Sequence, residues 1–118
     1  MSRYLDLSMF PYQRDRYAVD VDAIRQSLIR LLMTNKGDLI DEPEYGISLR
    51  DYLYEPITDH TKVFISMAIE REVRRWEDRV ELQGIVVETD VDNYSFVVKL
   101  TVYIPEFDQY LNLEVGVD

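Results

Sequence analysis

The sequence predicts an α+β domain: two main helices packed on a three-stranded antiparallel sheet, with an extended N-terminal arm. Apolar residues recur at three-and-four spacing over about residues 22–34 and again over about 59–78, the mark of a helix with one buried face. From Val80 the period drops to two, and Tyr94, Phe96, Val98, Leu100, Val102 and Ile104 hold six successive even positions, so their side chains share one face of a strand. A length of 118 residues with 47% hydrophobic and 12% aromatic residues suits one ordinary core. No linker, internal repeat or low-complexity tract divides the chain, so residues 20–118 read as a single domain and 1–19 as the arm.

In the arm, Tyr4, Phe10, Pro11, Tyr12 and Tyr17 are scattered without sustained periodicity. Such a segment either straps over the domain's own core or reaches a partner. The first helix follows from Val21, Ile24, Leu28, Leu31 and Leu32, with Asp20 or Asp22 as an N-cap carboxylate. Asn35 and Gly37 tolerate the left-handed conformation that closes helices.

Residues 36–60 hold Pro43, Gly46 and Pro56 among turn formers, yet Ile47, Leu49, Tyr52, Leu53 and Tyr54 can be buried, which fits a short helix near 47–54. The second long helix is capped by Thr58 or Asp59 and stripes Ile65, Ile69, Val73 and Trp76 along one face. Val63, Phe64 and Met67 lie off that stripe and imply contact on two sides. Asp92-Asn93, between the apolar run 85–87 and Tyr94, reads as a hairpin turn. Leu111, Leu113, Val115 and Val117 then alternate as a final strand.

Composition shortens the list of functions. Thirteen Lys plus Arg against 23 Asp plus Glu give a formal charge of −10, which argues against nucleic acid as a partner because phosphate binding needs basic side chains. The absence of cysteine removes disulfides, thiol nucleophiles and thiolate metal sites. No apolar run approaches the roughly 20 residues of a membrane span, and the start lacks a signal-peptide layout. A soluble cytosolic protein is expected, without membrane contact.

Candidate chemistry is sparse. Glu42 with Glu44, and Glu55 with Asp59, lie where a glycosidase could set an acid and a base, but equally in exposed turns. His60 is the only histidine, and nothing nearby completes a metal site or a triad with it. The four glycines are too dispersed for a phosphate loop. No cofactor, metal or catalytic residue is expected.

Two features suit partners instead. Arg71, Arg74, Arg75 and Arg79 concentrate positive charge at the end of the second helix, where they can grip an acidic partner or simply complement the helix dipole; Glu70 with Arg74 forms an i,i+4 pair. The last strand, around Leu111, Leu113 and Val115, can accept another chain's strand if it lies at the sheet edge. Glu114, Gly116 and Asp118 can alternatively blunt it.

Lys36-Gly37-Asp38, then Asp41-Glu42-Pro43-Glu44-Tyr45-Gly46-Ile47-Ser48-Leu49, then Leu53-Tyr54-Glu55-Pro56 resemble the baseplate wedge family of contractile phage tails, sometimes labelled lysozyme-like. The likeness covers about residues 21–115. At the family's aromatic-Glu-Pro-Arg-Ile site stands Trp76-Glu77-Asp78-Arg79-Val80. Asp78 replaces the proline and should let the helix continue.

The resemblance implies a structural protein of the virion tail baseplate, assembled in the host cytoplasm. Its implied role is to initiate the contractile sheath. The implied partners are larger wedge proteins, whose helical core bundle would meet Trp76, Glu77 and Arg79, the tail sheath protein, whose arm would join the strands, and tube or hub proteins. Two alternatives stand beside it: a peptidoglycan-cleaving muramidase using Glu42 or Glu44, and a regulatory protein like the small bacterial anti-adaptors, which share this architecture.

Overall fold

The computed structural model describes residues 11–90 and 95–118, with side chains from Tyr17 onward. Helix α1 spans Pro11–Met33 and α2 spans Asp59–Trp76, with a short 3-10 helix at Leu49–Tyr54 between them. Strands β1 (Glu81–Asp90), β2 (Ser95–Ile104) and β3 (Gln109–Val117) follow. They pair antiparallel in the order β1-β2-β3. The α+β architecture, with two helices on a three-stranded antiparallel sheet, is the one the hydrophobic periods imply.

The period of two in β2 becomes a buried face: Phe96, Val98, Leu100, Val102 and Ile104 are all at most 1% exposed. Across the ladder Val98 faces Val115, Leu100 faces Leu113 and Val102 faces Leu111, so the β3 alternation buries the same side. Ile24, Leu28, Leu31 and Leu32 of α1 and Ile65, Ile69 and Val73 of α2 close over that face. Helix α1 packs on β3 and α2 on β1. Among the described residues the opposite sheet face has no helical cover. It carries cross-strand polar pairs instead, Lys99 with Glu88 at 3.1 Å and Thr101 with Asn112 at 2.8 Å.

Thr58 caps α2 as expected, its side chain accepting the Thr61 N–H. Other expectations need correction. Helix α1 begins at Pro11, so residues 11–19 are helical where an extended arm was expected, and Asp20 and Asp22 lie inside the helix instead of capping it. Pro11 stands at the first helical residue, a place where its fixed φ and missing N–H cost nothing. Residues 1–10, the Asp92-Asn93 turn and Tyr94 lie outside the described residues. Tyr54 is 89% exposed, and Val63, Phe64 and Met67 are more than half exposed instead of buried on a second side.

Residues 34–48 are fastened by backbone. Gly46, at φ +113°, lies so close to α1's end that a Cβ there would sit 2.4 Å from the Thr34 carbonyl oxygen. That carbonyl accepts the Ile47 N–H at 2.9 Å, which seats Ile47 and Leu49 in the core. The Pro-x-aromatic-Gly stretch thus has a physical cause: only glycine permits this approach at this φ.

Candidate functional site

Helix α2 stops at Trp76 although Asp78 does not forbid continuation. Glu77 leaves the helix at φ −130°, ψ 90° while its N–H still donates to the Val73 carbonyl at 2.9 Å. Side-chain bonds hold the turn that follows. The Glu77 carboxylate, 4% exposed, accepts from Ser27 Oγ on α1 at 2.7 Å and from Arg79 Nε and Nη2 at 2.6 and 2.8 Å.

This fork fixes the Arg79 guanidinium in one orientation, with its side chain 45% exposed. Burial pushes the Glu77 carboxyl up, but the hydrogen bonds from Arg79 and Ser27 outweigh it and hold it below the usual range. The two charges therefore differ in role. Glu77 is an internal fastener between α1 and the chain after α2, and Arg79 is the group that reaches the surface.

A second buried carboxylate lies one turn earlier. Glu72, with its side chain 2% exposed, accepts from Lys36 Nζ at 2.9 Å, Arg71 Nε at 3.0 Å and Trp76 Nε1 at 3.3 Å. Burial raises its carboxyl, yet the Lys36 and Arg71 bonds bring it below the ordinary value. Lys36 also donates to the Glu44 carbonyl at 2.8 Å, and Arg75 pairs with the Glu44 carboxylate. Tyr45 meets the Trp76 ring edge-on at 5.3 Å, and the Arg75 guanidinium lies 4.8 Å from that ring's centroid. The 34–48 segment is thus pinned to the end of α2 by two ion pairs and an aromatic stack.

Of the predicted residues, Trp76, Arg71 and Arg75 gather around Glu72 and Glu44, Glu77 joins Arg79 and Ser27, and Arg74 stands apart, paired with Glu70 at 3.0 Å. Each arginine of the cluster already has an intramolecular partner. Glu72 itself was missed in the sequence. Its signal was present, since an acid three residues after Ile69 and seven after Ile65 falls on the buried stripe.

On β3, Leu111, Leu113 and Val115 are 5–7% exposed. Their side chains belong to the core, so β3 can offer a partner only its backbone edge and the outward Tyr110, Asn112, Glu114 and Gly116. Among the described residues β3 pairs on one side alone, as does β1.

The acids in the middle loop make a poor catalytic pair. The Arg75 hydrogen bond and charge hold Glu44 below the usual carboxylate range, opposite to what a glycosidic general acid needs. Among the described residues no group of His, Asp and Glu is arranged to hold a metal.

Fold and site together give a small α+β domain with a braced, charged turn after α2 and, among the described residues, sheet edges paired on one side alone. The family of baseplate wedge protein gp25 matches residues 18–104. The chain belongs to that family. Baseplate wedge protein gp25 of Enterobacteria phage T4 is 32% identical over 78 residues, 66% of this chain and 59% of the T4 protein. The matched stretch thus spans less than two thirds of that relative.

Among solved structures, a Geobacter sulfurreducens protein described as a tail lysozyme superposes with TM-score 0.75 over 82% of this chain and 88% of its own. At 18% identity that likeness concerns the fold alone. A chain of the anti-feeding prophage baseplate is 27% identical, with TM-score 0.57 over 82% of this chain and 67% of that one. A chain of the postcontracted pyocin R2 baseplate is 26% identical, with TM-score 0.56 over 81% and 82%.

Proposed function

We propose that this chain is a structural component of a contractile tail baseplate that docks on the wedge complex and starts sheath polymerisation by accepting a sheath arm as an added strand. The reading rests on family membership and on likeness to chains of two contractile-particle baseplates. The observation that carries the strand step is the outer edge of β3, which no strand of the described chain pairs. Backbone N–H and C=O groups along such an edge supply affinity, and side-chain pockets supply register.

Docking on the wedge falls to Arg79. Held by Glu77 and braced through Ser27 to α1, its guanidinium meets a partner carboxylate or carbonyl without first losing rotamer freedom, which favours charge-assisted bonding. Trp76, packed on Tyr45, shapes the adjoining surface. Tube or hub proteins are the remaining neighbours in this scheme, which is completed in the host cytoplasm.

Amide hydrogen exchange on the full chain, alone and with sheath protein on isolated baseplates, tests the strand step. Slowed exchange within residues 109–117 on sheath addition is expected. Protection confined to other segments would overturn strand addition at β3.

A further inference from the structure

Helix α2 has a second stripe that the described residues leave exposed. Residues advance by about 100° around a helix, so Val63, Met67 and Arg74 stand opposite the buried Ile65, Ile69 and Val73, flanked by Phe64 and Arg71. Val63, Phe64 and Met67 are 56%, 61% and 58% exposed. Three large apolar side chains on one ridge form a contiguous patch, which isolated surface residues do not.

Directly beyond the patch the charge changes. Lys36, Arg71, Arg74 and Arg75 are linked with Glu44, Glu70 and Glu72, four cations against three carboxylates, leaving a local positive excess on a chain of charge −10. Arg71 and Arg74 each form an ion pair through one nitrogen, with side chains 68% and 76% exposed. A guanidinium has five N–H donors, so both keep donors for another partner. Met67, Glu70, Arg71, Arg74 and Arg75 line one shallow depression.

From this order of apolar then basic residues, we propose that the outward face of α2, Val63 to Arg74, docks an acidic amphipathic helix of a neighbouring baseplate chain. The inference rests on the baseplate reading but uses neither Arg79 nor the β3 edge. Eleven helical steps span about 17 Å, three turns, and a straight ridge of this kind takes a second helix by ridge-into-groove packing.

The occupant's apolar residues, at i and i+3 or i+4, cover Val63, Phe64 and Met67. Its Asp and Glu, one to two turns further along, meet Arg71 and Arg74 in forked hydrogen bonds. A second copy of this chain fits poorly: α2 laid antiparallel about Met67 would set apolar Val63 against Arg71 and Phe64 against Glu70, and would bring a single carboxylate, Asp59, near Arg74 and Arg75.

The test places a photoreactive benzoylphenylalanine at Phe64 of the full chain in assembled particles, followed by irradiation, digestion and mass spectrometry. The expected adduct lies in another baseplate chain, in a segment with helical apolar spacing and acids beyond it. In parallel, Met67→Glu and Arg74→Glu should each lower incorporation roughly tenfold or more while the isolated proteins melt like the parent.

Adducts to a second copy, to a basic or strand segment, or to solvent alone would overturn the inference while leaving the baseplate reading intact. So would normal incorporation of both variants. Particles that contain none of the chain would overturn the baseplate reading and this inference with it.

Discussion

Gly46→Ala tests the loop that braces the end of α2. The substitution acts twice. It places an L residue at φ +113°, a backbone strain of about 1–3 kcal/mol, and it sets a Cβ 2.4 Å from the Thr34 oxygen, 2.9 Å from its carbon and 3.0 Å from the Asn35 carbon. Those neighbours are backbone, so no rotamer change relieves them.

The loop must move instead, and the Thr34 carbonyl loses the Ile47 N–H at 2.9 Å and the weaker Ser48 N–H at 3.4 Å. Each lost bond of this kind costs about 0.5–1.5 kcal/mol, so the two together with the strain give about 2–6 kcal/mol in all. For a domain of this size that is a melting temperature lower by about 8–24 °C.

Gly37→Ala is the internal control, because Gly37 has φ +93° but open space around its Cβ position. It carries only backbone strain, about 1–3 kcal/mol and a loss of about 4–12 °C, without the lost bonds. Differential scanning calorimetry on the three proteins measures both. A Gly46→Ala protein that melts with the parent, or no lower than Gly37→Ala, would refute the close approach as the cause of the motif.

Three further outcomes follow from the buried carboxylates and the open edge. Glu72 and Glu77 have carboxyls lowered by their partners, so their stabilisation is complete above the unfolded glutamate value of about 4.3 and is lost as pH falls through the lower folded value; urea unfolding across acid pH should show this, and Glu72→Gln should flatten the slope. Arg79→Ala should cost about 1–3 kcal/mol, because it strips a partner from buried Glu77, and should lower incorporation; adding Glu77→Gln should recover stability but not incorporation, and normal incorporation of that double variant would remove Arg79 from the wedge contact. Amide-to-ester replacement at consecutive positions 113 and 114, which removes the N–H and keeps each side chain, should split by N–H direction: one weakens the ladder to β2 and destabilises the sheet, while the other spares the fold and weakens sheath addition.

What the sequence disclosed follows from where residues act locally. The alternation of β2 and β3, the stripe of α2 and its Thr58 cap were all legible because each is written within one element. The start of α1 was not, because residues 11–19 show no apolar stripe and Val19 is 65% exposed. Pro11, the first helical residue, was the available sign.

The site was harder to read. Glu44 meets Arg75 across 31 positions and Ser27 meets Glu77 across 50, pairings that no local spacing encodes. Arg75 and Arg71 brace the molecule through Glu44 and Glu72, and Val63, Phe64 and Met67, which looked like core contacts, are more than half exposed. The family likeness pointed to Glu77 and Arg79 together, and only the geometry separates the fastener from the presented charge.

The most direct measurement is sheath growth from baseplates assembled with and without this chain, counted by electron microscopy after addition of sheath protein. Baseplates lacking it should complete no sheath, and adding back the purified full chain should restore sheaths of normal width. Sheaths of equal number and form in its absence would contradict the account.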